Sequence, residues 1–502
     1  MAGPTALAFF SGGYFAPARA AAGIGAWALV AVVALVRWPP AAGASAPGAD
    51  TAGAVGVRSA ATWLVIGGLG GLAAWTLLSI LWAPIAGNAY AAGQLAVLYT
   101  GALTAAAMLL RGRALAWAEP SLAAGALIVI GYGLAGRLLP GILHYARSVS
   151  AEGRLEQPLT YWNAMGELAA LGFVLCARLA GDEKRCGWMR TTAAAAAAPL
   201  GLGLWITFSR GALFACLAGL VTLLVAAPRA AQLWALVRAV GFGALAAAAG
   251  APFSGVTSLS GGQSSREHQG LIVLVALGVI TAAAAAAGHR RAPRDRERVV
   301  TLPGHAPALA TGLVIAGLAL AIVVGAHESS RATPLSGGAT RLTTLQSNRY
   351  DYWWVALRAF AGDPVQGVGA GGWSVDWLRW RNVDEAAQDA HSLPLQTLAE
   401  LGVVGLALLL AFCAGVTLVA RRALRVSPLA AGPTAAAVVY FAHAPLDWDW
   451  QMPAVTLVAI VLMGALLALS EAGADPPQAA SPPPGRRSEG TTAPRRSAAP
   501  PG

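Results

Sequence analysis

Apolar stretches long enough to cross a bilayer follow one another along almost the whole chain, and that succession leaves few folds open. A spanning helix takes roughly 20 mostly apolar residues, and about thirteen stretches meet that length. They centre on residues 21–38, 60–82, 89–110, 118–138, 163–181, 191–208, 211–227, 231–252, 270–288, 306–326, 396–419, 428–444 and 453–471. In lipid each backbone polar group must be satisfied within its own segment, so these stretches are read as helices. Composition agrees. Charged residues make up 11% of the chain and hydrophobic residues 57%, with mean hydropathy +0.60. Average soluble domains carry roughly 25% charged residues, so this chain lacks the charge to cover a soluble surface. The same balance excludes disorder, a coiled coil and a collagen-like chain. The expected fold is an all-α integral membrane protein of about 12–13 transmembrane helices. Several spans are rich in Ala and Gly, which let helices approach closely in lipid.

The net charge is +11, carried by 33 Arg and the single Lys184. Such an excess fits nucleic acid, anionic lipid, or the bias of basic residues toward cytoplasmic loops. Alternate loops settle the choice. Arg37/Arg58, Arg111/Arg113, Arg178/Lys184/Arg185/Arg190, Arg229/Arg238, Arg290 to Arg298 and Arg421/Arg422/Arg425 fall in one alternating set. With the four arginines of the tail, that set holds 22 of the 34 basic residues and is predicted to be cytoplasmic. The N-terminus is then outside and the C-terminus inside, and no nucleic-acid partner is expected. Spanning helices occupy 1–326 and 395–471, a large outer loop 327–394, and a disordered Pro/Arg-rich cytoplasmic tail 472–502. Residues 39–54 read as a flexible loop. Cys176, Cys186, Cys216 and Cys413 show no metal or haem spacing and read as small hydrophobes. The N-terminal segment lacks the basic region of a cleavable signal peptide.

The outer loop is the only long hydrophilic stretch between spans, and its five tryptophans set it apart from low-complexity sequence. Within it, YDYWWVALRAFAG (350–362) has apolar residues at 353, 354, 357, 360 and 361, which predicts a helix resting on the outer leaflet. GVGAGG (367–372) formally matches GxGxxG, but no buried strand is expected before it and no helix after it. A tight turn lined with backbone N–H groups is the expectation instead.

Polar groups converge on the predicted outer face. They are Gly153–Asn163 with Arg154 and Asn163; Phe208–Gly211 with Arg210; Ser347–Trp353 with Arg349; Asp389–Ser392 with His391, ahead of Glu400; and His443 with Asp447 and Asp449. Arg210, at a turn between two spans, is a functional candidate by its location alone. Glu167 is a rare intramembrane acid. The His443–Asp449 segment reads as helix capping and a partner for an arginine rather than a metal site. Guanidinium groups grip phosphate bidentately and keep their charge, so two of them can hold a lipid-linked diphosphate and stabilise it as it leaves. An imidazole that titrates near neutrality can take a proton from an attacking hydroxyl. The implied chemistry is glycosyl transfer from a polyprenyl-diphosphate donor.

These segments resemble the O-antigen ligase/O-antigen polymerase family of bacterial envelope proteins. The likeness runs from about Arg154 to the last span. Its densest part is Arg349…Trp353, then Asp363-Pro364…Gly367-Val-Gly369-Ala-Gly371-Gly372-Trp373, Ala390-His391 and Glu400-Leu401-Gly402…Gly405. Thr207–Ala212 and Gly153-Arg154…Tyr161-Trp162-Asn163 are similar to two further family segments. The resemblance implies a multi-pass protein of the inner or plasma membrane, with its active site on the extracytoplasmic side. Its implied activity is metal-independent, inverting and cofactor-free transfer of a glycan from undecaprenyl diphosphate to a glycan, lipid or protein acceptor. By matching position, Arg210 and Arg349 would bind the diphosphate and His391 would activate the acceptor. Arg154, Asn163, Glu400, His443 and Asp447 would support them. The family often has Asn after this His, where this chain has Ser392. The alternative class is a transporter or flippase of lipid-linked glycans. That class is expected to place charges through the membrane midplane and often to show repeated halves. No internal repeat is evident in this sequence.

Overall fold

The computed structural model describes residues 1–36, 59–289 and 347–472, with isolated positions between 303 and 342. Expectations for 39–54, for the tail beyond Ala472 and for most of the candidate span 306–326 fall outside the described residues. The described residues form helices and no strands, an all-α polytopic membrane protein. In order they are α1 (Ala2–Ala8), α2 (Ala16–Val36), α3 (Ala60–Leu78), α4 (Ala86–Leu109), α5 (Gly112–Ala116), α6 (Ala118–Leu138), α7 (Trp162–Gly181), α8 (Gly187–Ile206), α9 (Arg210–Ala226), α10 (Ala230–Gly250), α11 (Ser254–Thr257) and α12 (Gln263–His289). The outer loop contributes α13 (Arg349–Gly362) and α14 (Trp373–Trp380). The last spans are α15 (Leu393–Val426), α16 (Ala431–His443) and α17 (Pro453–Ala472). Nine of the described helices are long and apolar enough to cross a membrane, and α9 is a shorter apolar one. Each candidate span within the described residues coincides with a helix.

The bundle is organised around α7 and α17, whose spanning windows are 94% and 89% buried, against 11% for α2. α7 packs against α6, α8, α9, α10 and α16. Small residues permit this crowding: a Cβ on Gly219 of α9 would sit 2.3 Å from Val439 of α16 and 3.0 Å from Val174 of α7. At the end where α7 finishes, four charges lock the helices. Arg178 lies 3.2 Å from Asp182, and Arg185 lies 3.3 Å from Glu119 and 3.4 Å from Asp182. Arg178 also donates to the Pro428 carbonyl at 3.0 Å. Two arginines that mark the cytoplasmic set by count are therefore also ties between helices.

The outer loop has its own small core. Tyr352, Trp353, Val355, Ala356 and Ala359 of α13 are buried against Trp373 and Trp377 of α14, Ala390 and Ala399. Of the expected apolar stripe, Trp353 is buried in this core, while Trp354 and Leu357 are exposed. The helix is apolar on two sides, so spacing alone did not say which side faces protein. The loop closes through Glu385: its carbonyl accepts from Trp377 Nε1 at 2.7 Å, and its carboxylate accepts from Asn348 at 2.8 Å.

A helix does follow GVGAGG, contrary to the expectation, but the element before it is α13 rather than a strand. The turn clasps a break in a span. α15 is interrupted at Gly402 (φ +63°), and the freed carbonyls on its first side meet the turn. Val368 N–H donates to Ala399 O at 3.0 Å and Gly369 N–H to Glu400 O at 2.8 Å, while Val403 N–H donates to Pro364 O at 2.9 Å. Buried backbone groups must find partners, and the turn supplies them where the helix cannot. The fit admits no side chain: a Cβ on Gly402 would lie 2.2 Å from Val365 O, and one on Gly367 would lie 2.3 Å from the Glu400 carbonyl carbon. Gly402→Ala is expected to destabilise the protein by about 2 kcal/mol or more, read as a lowered thermal unfolding midpoint. Gly278→Ala, where a Cβ meets nothing within 4 Å, is expected to leave the midpoint nearly unchanged.

Candidate functional site

The loop between α16 and α17 gathers the polar stations of the sequence. Asp447 is its centre and is 1% exposed. Its Oδ2 pairs with Arg349 Nη2 at 2.5 Å, its Oδ1 accepts from Tyr161 OH at 2.6 Å, and the same oxygen accepts from Trp448 N–H at 2.9 Å. Asn163 Nδ2 donates to the Tyr161 oxygen at 2.8 Å, extending the chain to the start of α7. Three separate elements are thus tied to one carboxylate: the segment entering α7, the start of α13 and the α16–α17 loop. The expectation that Asp447 partners an arginine holds, and the arginine is Arg349. Burial drives the Asp447 carboxyl up, but Arg349 first, then His391 and His443, outweigh it, and the group is held below the usual range. Burial opposes the charge of Arg349, yet Asp447 and Tyr161 raise its pKa further. The Arg349 side chain keeps 19% of its surface.

His391 stands beside this pair. Its backbone is left-handed (φ +51°). Nδ1 lies 2.9 Å from the Asp389 carbonyl oxygen. A carbonyl only accepts, so Nδ1 carries a proton, and in the neutral ring Nε2 is the acceptor. The ring lies 5.0 Å from Tyr352 and 6.0 Å from Trp448, between the loop core and the α16–α17 loop. Leu393 N–H donates to Ala444 O at 2.8 Å, fixing the start of α15 to the same loop.

Arg210 is the first residue of α9, behind the N-cap Ser209, which accepts from Ala212 N–H. No acid lies in that first turn. The positive end of the helix dipole disfavours a cation there, so the guanidinium and the dipole place like charge at one end of α9. The next residue packs on His443: a Cβ on Gly211 would meet its Cδ2 and Nε2 at 3.0 Å and Leu446 at 3.7 Å. His443 Nδ1 hydrogen-bonds Asp449 Oδ2 and lies 3.7 Å from Glu167 Oε2, with all three side chains at most 1% exposed. The α16–α17 loop therefore meets the Arg210 turn through His443, Arg349 through Asp447 and His391 through Trp448.

Two predicted supporting residues lie elsewhere. Glu400 sits at the clasped break, hydrogen-bonded by the backbone of Gly371 and Trp373. It connects back through Gln396, whose Nε2 donates to Asp389 Oδ1 at 2.9 Å and reaches Glu400 at 3.5 Å. A cavity of about 50 Å³ lined by Gln396, Glu400, Asp447 and Trp450 runs beneath. Arg154 lies over the Trp162 ring at 3.7 Å and donates to Ala151 O and Ser150 O, both at 2.8 Å. It braces the segment entering α7. Tyr161 and Asp389 have roles that sequence reasoning missed. Tyr161 and Asp389 directly flank residues that were singled out, and that adjacency was the available signal.

Compared with protein-family models and with curated proteins, the sequence matches none.

Asp447→Asn is expected to cost about 3 kcal/mol of stability, because it strips Arg349 of its acid in a buried setting. Tyr161→Phe is expected to cost about 1 kcal/mol. Unfolding midpoints measure both, and a double-mutant cycle of Asp447→Asn with Arg349→Gln is expected to be strongly non-additive. The pH signs differ among the acids of this loop. The stability contributed by Asp447, whose pKa is depressed, is present above the ordinary carboxylate range and is lost as pH falls through its folded pKa. Burial raises Asp389 and Asp449, so their contribution is full in acid and is lost as pH rises through their folded pKa values.

Proposed function

We propose that this chain is a membrane glycosyltransferase that moves a glycan from an undecaprenyl-diphosphate donor to an acceptor hydroxyl at the extracytoplasmic face, in the manner of an O-antigen ligase or polymerase. The observation that carries the reading is the convergence of the Arg210 turn, Arg349 and His391 on the α16–α17 loop. In this reading Arg210 and the α9 N-terminus face one part of the diphosphate, and Arg349, held in place by Asp447 and Tyr161, faces the other. The acceptor oxygen attacks the anomeric carbon, and the bond from that carbon to the diphosphate oxygen breaks. The electron pair leaves with the diphosphate, whose growing charge the two guanidinium groups stabilise. His391 Nε2 receives the hydroxyl proton, while the Asp389 carbonyl holds the Nδ1 proton and stabilises the imidazolium that forms. Transfer is direct, so the anomeric configuration inverts.

One observation favours the transporter reading. Glu167, His443 and Asp449 form a buried ionisable group at the ends of spanning helices, as proton-coupled carriers require. Its packing against Gly211 is the argument for a positioning role beside Arg210 instead.

Purified protein given a lipid-linked oligosaccharide and candidate acceptors is expected to release undecaprenyl diphosphate. His391→Ala is expected to lower release by roughly a hundredfold or more at normal protein level, the scale of a lost general base. Arg349→Lys is expected to fail as well, because a point charge does not reproduce the planar fork. Full activity of the His391 variant would overturn its assignment as base. Donor translocation with no bond formed would favour the carrier. Orientation has its own readout: the exposed Cys186 is expected to react with an impermeant maleimide only once the cytoplasmic side is opened. Labelling in intact cells would reverse the proposed topology.

A further inference from the structure

An apolar cavity of about 1090 Å³ lies between α1 and α2, with α4 and α17 behind it. Of the side chains that line it, Ser11 alone is polar. α1 does not extend the line of α2. It leans on α6, with Thr5 against Gly125 and the Phe9 ring 5.0 Å from that of Tyr132. Both contacts fall within the spanning length of α6, so α1 runs at membrane depth and leaves a groove beside α2. The groove follows α2 from Pro17 to Leu29, about 18 Å at a rise of roughly 1.5 Å per residue, and reaches Leu109 and Leu110 at the far end of α4. That is more than half of the roughly 30 Å hydrocarbon core. Small residues give it width: Ala18, Ala22 and Gly25 on α2, and Ala102 and Ala105 on α4. In lipid such residues usually mark close helix approach, yet here a Cβ on Gly25, or on Gly3 of the opposite wall, would meet nothing within 4 Å.

One end of the groove adjoins the candidate site. Phe10 and Ser11 close it at the turn between α1 and α2. That turn is seated on two of the stretches tied to Asp447. A Cβ on Gly12 would meet Met452 of the α16–α17 loop and Leu159 of the segment entering α7, and one on Gly13 would meet Pro453 at 3.1 Å. Tyr14 stands edge-on to Trp448 at 5.5 Å, and Trp448 lies 6.0 Å from the His391 ring. Burial raises the pKa of the Tyr14 hydroxyl, Asp389 adds to the shift, and Arg19 opposes it, so groups of the site and the first cation of α2 both act at this end. A lipid whose hydrocarbon fills the groove therefore has its head beside the α16–α17 loop.

The shape indicates the chain. An isoprenoid carries a methyl branch on every unit and is wider than a straight acyl chain, and the small residues of α2 and α4 leave room for it. We propose that this groove seats the polyprenyl chain of the lipid-diphosphate donor and leads its diphosphate to the α16–α17 loop. The ligand rests on the transferase reading; the seat of its chain and a preference for a long one go beyond that reading.

The test fills the groove from opposite walls of the full chain. Gly25→Leu on α2 and Gly3→Leu on α1 place side chains in it, and Gly278→Leu, equally open at Cβ on α12, is the control. Turnover is compared on an undecaprenyl-diphosphate oligosaccharide and on the same oligosaccharide carried by a two-isoprene diphosphate. Because the chain gains only weak dispersion contacts on leaving lipid, the paired variant is expected to lose roughly tenfold in kcat/KM on the long donor, with the short donor and the control near the unaltered values. Native mass spectrometry reads the groove without turnover: the unaltered chain is expected to retain undecaprenyl diphosphate and the paired variant to lose it by a like factor. Unchanged unfolding midpoints would establish folding, and Gly25→Leu alone carries both measurements if the pair does not fold. Equal loss on the two donors, or undiminished retention by a folded variant, would overturn the proposal. So would displacement of undecaprenyl diphosphate by phosphatidylglycerol, which would make this an ordinary lipid-facing surface. A bound protein subunit released by the substitutions would overturn it in favour of helix docking. Retention lost in the variant while the unaltered chain forms no glycosidic bond would support the groove and overturn the transferase reading.

Discussion

The ion pair between Arg349 and Asp447 is the contact on which the outer half of the molecule depends. A carboxylate with 1% exposure survives inside a membrane protein only when its charge is met, and here the guanidinium, the Tyr161 hydroxyl and a backbone N–H meet it together. Because each partner comes from a different stretch of chain, satisfying one charge also sets the position of three elements. His391 borrows its place from the same arrangement, through Trp448 on one side and the loop core on the other.

The second constraint is the broken span. Interrupting a helix in or near lipid leaves donors and acceptors that must be satisfied from elsewhere, and the turn after α13 satisfies them. The reward is geometric. The first part of α15 anchors to the α16–α17 loop through Ala444, and the break lets that anchored piece and the spanning piece take different directions. The glycines that permit the fit look like a nucleotide-binding motif in sequence, but the Gly369 N–H meets a helix carbonyl and the Gly371 N–H the Glu400 carboxylate.

The spans were legible because lipid imposes a length and a composition that can be read residue by residue. The pairing of Asp447 with an arginine was foreseeable in kind, since a buried acid beside the membrane needs a cation. That Arg349 was the partner was not, because nearly a hundred residues separate the two. Which side of α13 meets protein was not legible for a related reason: both sides are apolar, and tertiary contact with Trp373 and Trp377 decided between them. The break at Gly402 lay inside a run that hydropathy treats as continuous. Arg154 and Glu400 matched a pattern in order along the chain, and their local partners, the Trp162 ring and Gln396, could not be read from it.

On the proposed transferase reading, a single base on one side of the reacting carbon and a guanidinium-bound diphosphate on the other would permit one displacement with no covalent intermediate. Determining the anomeric configuration of the linkage that the purified chain makes from a lipid-diphosphate oligosaccharide of known configuration tests this most directly. The account predicts one new glycosidic bond of inverted configuration; a retained configuration, or no new bond with a competent donor and acceptor, would contradict it.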